Sequence, residues 1–174
     1  MVMIFRKAVS PVVATVLLLV LTIVIGGIVF SVVVPFVNNS LGESKECLDI
    51  FEGVEFPESQ FNCYIVSPTG GTNETGFSVK VNKEGISAVR IGLIDSKGNS
   101  DVLEIFQGFS DLSLKPMGDN YGDAITFPAI SGQRTYVVNK LYNKAEISAL
   151  TSSGDVCSVA DKIKIEPCIS VTFP

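Results

Sequence analysis

The chain has 174 residues, 47% of them hydrophobic, with 13 Lys+Arg against 18 Asp+Glu and a formal net charge of -5. An acidic chain with no basic cluster lacks the Lys and Arg that displace phosphate counterions, which argues against a nucleic-acid partner. Histidine and tryptophan are absent; without imidazole, most nucleophilic and zinc chemistries lose their usual parts, so the composition points away from an enzyme and implies no cofactor.

Charge is unevenly distributed. Arg6 and Lys7 precede a stretch from Val9 to Leu41 without a charged side chain, and every acidic residue follows it. With those two set aside, 11 basic residues face 18 acidic ones, a net of -7 for the remainder. Val12 to Val34 is apolar apart from Ala14, Thr15, Thr22, Gly26, Gly27 and Ser31. As a helix it is about 35 Å long, enough to cross a hydrocarbon core of about 30 Å. Each Leu, Ile, Val or Phe favours insertion by roughly 0.3–0.6 kcal/mol. Ser10 suits an N-cap and Pro11 the first turn. Pro35 is expected to kink or end the helix, and Asn38-Asn39-Ser40 to lead out into loop. The basic pair at the start places the N-terminus in the cytoplasm and the rest outside. The apolar run is longer than the 7–15 residues of a signal peptide, and no Ala-x-Ala pattern follows it.

The stretch Arg6-Lys7-Ala8-Val9-Ser10-Pro11-Val12-Val13-Ala14 resembles the N-terminus of archaeal type IV pilin precursors, in which a basic/small pair precedes a Val-Ser-Pro-Val opening of the apolar helix. The resemblance covers residues 6–34. It implies cutting by a prepilin-type peptidase between Ala8 and Val9, or after Lys7, with Lys7, Ala8 and Val9 as processing residues. It also implies a membrane platform and an assembly ATPase as partners, membrane lipid before assembly, and copies of the chain itself afterwards. The bacterial pattern has Gly before the cut and Glu at the fifth mature position; Ala8 and Val13 stand there. Archaellins usually lack the Ser-Pro element and rank second. Ala14, Gly26, Gly27 and Ser31 are candidates for close helix packing, with Gly26-Gly27 also a candidate hinge. The implied function is a structural filament subunit for adhesion at the cell surface. The alternative is a non-polymerising single-span protein whose outer domain binds a ligand or partner.

The resulting division is 1–8 leader, 9–41 apolar helix and exit, and 42–174 outer domain. From Glu43 the pattern turns to short apolar runs between turn residues. Strands are expected at 48–56, 61–66, 77–81, 86–94, 102–106, 124–127, 135–138, 146–150, 163–165 and near 169–173. Val89, Ile91 and Leu93 alternate with Arg90 and Gly92, the period of a half-buried strand, and Asp95–Asn99 reads as the turn of a hairpin. Residues 111–123 read as an irregular connection. The fold expected is mainly β: one long helix followed by an antiparallel sandwich-like domain.

Cys47, Cys63, Cys157 and Cys168 lie outside the apolar run and read as two disulfides in an oxidising compartment. Short-loop closure favours Cys47–Cys63 and Cys157–Cys168. With no Cys-x-x-Cys pair, a zinc site is the weaker reading. Asn38-Asn39-Ser40 and Asn73-Glu74-Thr75 are N-glycosylation sequons. Asp95–Asp101 and Asp119–Asp123 carry oxygen ligands on short loops, but neither completes a calcium loop and Lys97 opposes a cation, so both read as turns and no metal site is expected.

Overall fold

A computed structural model describes residues 11–67 and 71–174, with side chains given for all of these except 38–44. Two compact units divide at Ser44/Lys45. The first is helical. Helix α1 (Pro11–Ile28) passes into a π-helical turn (Val29–Val33), and α2 (Val34–Asp49) follows without a break. Pro35 therefore does not end the helix, and Asn38-Asn39-Ser40 is helical rather than an exit loop. In an unbroken α-helix the Pro35 ring would strike the carbonyl of Ser31, four residues back, and offer it no N–H. A π turn placed just before the proline relieves that conflict.

The second unit, Lys45–Pro174, is a two-sheet β-sandwich. One sheet contains β1 (Val54–Glu55), β2 (Cys63–Ile65), β3 (Glu74–Val81), β6 (Leu114–Pro116), β7 (Gln133–Val138) and β10 (Glu166–Pro167). The other runs β5 (Ser100–Phe106), β4 (Ile86–Ile94), β8 (Lys144–Thr151), β9 (Val156–Lys164). Every pairing is antiparallel except β10 with β2. Between the sheets Phe77, Val79 and Val81 of β3 and Tyr136 and Val138 of β7 join one core with Val89, Ile91 and Leu93 of β4 and Ala145, Ile147 and Ala149 of β8. The period-2 alternation delivers one face of each strand to this core. Burial pushes the Tyr136 phenol well above its ordinary range, and its hydroxyl donates to the Thr126 carbonyl at 2.9 Å.

The expected β4–β5 hairpin forms with Ala88 to Ile94 paired against Phe106 to Ser100. Other expectations are corrected. Residues 48–56 make no long strand: the last turn of α2, a turn with Glu52 at φ 58° and the two-residue β1 occupy them. The Lys83 ammonium donates to the Phe51 carbonyl at 2.7 Å and the Asp49 carbonyl at 3.3 Å, satisfying acceptors that the helix end leaves free. Residues 124–127 are not a strand, though Ile125 is buried and exchanges backbone hydrogen bonds with Phe109 and Gly108. Strand β6 lies inside the expected irregular connection, and β9 extends seven residues ahead of the run expected from Ile163.

Residues 169–173 form a strap and not a strand. It lies on the outer face of the first sheet, where Phe173 packs with Cys63 and Val137, flanked by Phe61, Ile65 and Val171. Gly76 permits this: a Cβ there would sit 2.5 Å from two ring carbons of Phe173. Both faces of β7 are thus buried over its last three residues, Tyr136 to Val138.

One edge of β3 is shared by two short strands, with β1 opposite residues 80–81 and β2 opposite 74–75. Asn62 fills the gap between them. Its Oδ1 accepts the Ser78 N–H at 2.7 Å, and its Nδ2 donates to the Pro57 carbonyl at 2.8 Å. Ser78 is fully buried. Asn62→Leu should therefore cost about 1–3 kcal/mol by stranding a buried N–H. Urea unfolding should show a lower midpoint at unchanged m-value.

The disulfides are Cys47–Cys157 and Cys63–Cys168, with Cα separations of 5.4 and 5.0 Å. The short-loop pairing is thereby overturned. Closing a loop of about 110 residues instead of about 15 costs only about 2 kcal/mol more, since each doubling adds about 0.6 kcal/mol. Strand placement outweighs that. Cys157, at the start of β9, lies against the last helical turn, and β10 runs beside β2, bringing Cys168 to Cys63. Sequence separations of 110 and 105 make each link worth about 4.7 kcal/mol on the chain-entropy estimate. Non-reducing peptide mapping should recover the 47–157 and 63–168 linked pairs, and Cys63→Ser with Cys168→Ser should lower stability by about 3–5 kcal/mol.

Candidate functional site

The segment Pro11–Val37 is 27 residues long, and one described helix is thus long and apolar enough to cross a membrane. Its side chains bury nothing against the described residues. Exposure runs from 42% at Val34 and Val37 to 75% at Phe30. So extended an apolar surface marks an interaction with something other than water.

Its polar atoms are arranged to tolerate that. Thr15 Oγ1 donates to the Val12 carbonyl at 2.9 Å, Thr22 Oγ1 to the Leu19 carbonyl at 2.8 Å, and Ser31 Oγ to the Ile28 carbonyl at 3.2 Å. Each hydroxyl folds back onto the turn before it, so none presents an unpaired donor to an apolar medium. The Ser31 bond lies at the π turn.

The four small residues singled out by sequence do not share one face. At about 100° per residue, Gly27 and Ser31, four apart, stand together, while Ala14 stands on neither their face nor that of Gly26. Gly26 instead aligns with Thr22 and Thr15. Thr22, four residues before Gly26, completes a small-x-x-x-small spacing that the sequence reading did not single out. Gly26 and Gly27 are both α-helical, and a Cβ on either would meet nothing within 4 Å. The irregular turn of the helix falls at Val29–Val33, three residues beyond Gly26. Unlike Gly76, neither glycine answers a contact among the described residues.

Lys7, Ala8 and Val9 lie outside the described residues, as does the side chain of Asn38. Asn73 is half-buried, and its Oδ1 accepts the Ser67 N–H at 3.1 Å. All four cysteines are in disulfides.

Three carboxylates of the two loops with oxygen ligands, Asp95, Asp101 and Asp123, are already engaged. Asp95 accepts from the Asn99 side chain at 2.8 Å and from the backbone N–H groups of Lys97 and Asn99, and these donors hold its carboxyl below the usual range. Asp101 is lowered by Lys140 and then by the Tyr142 hydroxyl. Asp123 accepts the Asn120 N–H at 2.9 Å. Among the described residues no group of three or more Cys, Asp or Glu is placed to hold a metal ion.

No protein-family model, curated protein or solved structure matches this chain. The apolar helix is its candidate functional element. Leu18→Arg should weaken membrane insertion by about 3–4 kcal/mol and remove the chain from the alkali-washed membrane fraction, while Leu18→Ile should leave it there.

Proposed function

We propose that this chain is a structural subunit of an archaeal type IV pilus-like surface filament, held in the membrane by its apolar helix before assembly. The observation that carries the reading is a 27-residue apolar helix whose side chains are all left unburied, preceded by the Arg6-Lys7-Ala8-Val9-Ser10-Pro11 stretch. One such helix has two alternative surroundings. Lipid covers it first, and the helices of sibling subunits cover it later. Exchange between two apolar media costs little hydrophobic free energy, so close packing along Thr22/Gly26 and Gly27/Ser31 can set the preference. Contacts that repeat without closing then give an open helical polymer.

Processing by a prepilin-type peptidase frees the start of the helix at Val9, or one residue earlier. An assembly ATPase acting through a membrane platform supplies the work of extraction. The basic pair places the β unit outside, which suits a domain fastened by two disulfides. Adhesion is the role of the assembled filament.

Mass spectrometry of sheared surface material tests the proposal. The chain should be recovered there beginning at Val9 or Ala8, and Lys7→Glu or Ala8→Leu should abolish both trimming and recovery. Surface material with Met1 intact would overturn the processing step. A chain found only in detergent-extracted membranes, with none in the sheared fraction, would favour a non-polymerising single-span protein.

A further inference from the structure

Asn73-Glu74-Thr75, the sequon of the β unit, is not a free loop in the folded chain. Glu74 and Thr75 open β3, and Thr75 is paired on both sides, with Tyr64 of β2 and Val138 of β7. Each of the three side chains is engaged. The Asn73 Oδ1 accepts the Ser67 N–H at 3.1 Å. Glu74 accepts the Tyr121 hydroxyl at 2.7 Å and lies 3.6 Å from the Lys115 ammonium. Thr75 is fully buried; its hydroxyl donates to the Lys140 carbonyl at 2.7 Å and accepts the Tyr142 N–H at 3.0 Å.

In N-glycosylation the asparagine Nδ2 forms a bond to the anomeric carbon of a lipid-linked oligosaccharide. The lipid phosphate or pyrophosphate leaves, and the amide gives up one proton. A hydroxyl two residues on marks the asparagine as an acceptor. The fold treats these two requirements differently. A planar amide whose oxygen is fixed on Ser67 turns its nitrogen the other way, so a sugar on Nδ2 leaves the Ser67 bond in place. Thr75, by contrast, has no surface for an enzyme to read. The product is thus compatible with the fold, whereas the folded acceptor lacks its readable hydroxyl.

Chain order opens an interval in which both requirements are met. The partners of the Thr75 hydroxyl, at Lys140 and Tyr142, lie 65 and 67 residues further along the chain. At a synthesis rate of about 5–20 residues per second they follow Thr75 by roughly 3–13 s. Strand β2 is made earlier, but it pairs with β3 at only two positions, and an isolated two-stranded ladder is marginal at best. We propose that Asn73 accepts a glycan only in the nascent, exported chain, and that closure of β3 against β7 ends its availability. Sugar transfer comes first and strand pairing second. The inference rests on the reading that the β unit lies outside the cytoplasm, which protease shaving of intact cells tests by itself.

Pulse-labelling of the full chain in cells that N-glycosylate exported proteins tests the order, with Asn38→Gln leaving a single sequon. Chains completed by the end of the pulse should carry glycan on Asn73, and the modified fraction should not rise during the chase. In a second arm, full chain made without the transferase is purified in detergent micelles. It is then offered to membranes holding an oligosaccharyltransferase and its lipid-linked oligosaccharide. A folded chain exposes Thr75 only by opening, so it should be modified at least about tenfold more slowly than the same chain reduced and alkylated. On the alkylated chain Thr75→Val should abolish transfer and Thr75→Ser should retain it. Equal rates for folded and alkylated chains would overturn the proposal, as would a modified fraction that climbs through the chase. So would an alkylated chain that accepts no glycan, or a pulse-labelled chain without glycan whose β unit is nonetheless shaved from outside. A β unit protected from shaving would instead remove the placement on which the inference rests.

Discussion

A row of large apolar side chains from Val12 to Val37 is left exposed among the described residues. Covering each one is worth about 1.5–3 kcal/mol, so the row as a whole cannot rest in water. That requirement shapes the first unit throughout. It explains hydroxyls folded onto the backbone, a proline accommodated by a π turn instead of a helix end, and glycines with no neighbour to demand them. The surface is built for a non-aqueous setting, and its small residues make the closest approaches available to another helix.

The β unit solves a different problem. Strand β3 lies at the middle of its sheet, yet two of its neighbours are only two and three residues long. Side chains and covalent links supply what the short strands do not. Asn62 takes the place of a missing stretch of backbone, the strap carrying Phe173 covers the far face of β7, and Cys63–Cys168 fastens the start of that strap. Lys115 completes the arrangement. Its ammonium, almost wholly shielded from solvent, donates to the Pro174 backbone oxygen at 2.9 Å and lies 3.6 Å from Glu74.

Legibility in the sequence followed the physics of each element. The strand Ile86–Ile94 was readable because its alternation is complete and its turn carries Asp95 and Gly98. The apolar helix was readable from length alone. Residues 48–56 misled because Leu48 and Phe51, both exposed, imitate buried strand positions while the helix end is held by a distant lysine. Strand β9 was hidden since its solvent-facing side chains break the apolar run, and β6 since three residues containing a proline carry no periodicity. Disulfide partners depend on which strands lie side by side, and a preference of about 2 kcal/mol for short loops cannot supply that.

The Cys47–Cys157 bond has a mechanical consequence. Tension arriving along the helix reaches Cys47 before it reaches Ile50, the first buried residue of the core beyond the helix. There it divides between the backbone and a covalent bridge to the outermost strand of the second sheet. The bridge spares the turn at Glu52–Gly53 and the two-residue β1 from carrying the whole load, so the sandwich resists being unzipped from its weakest end.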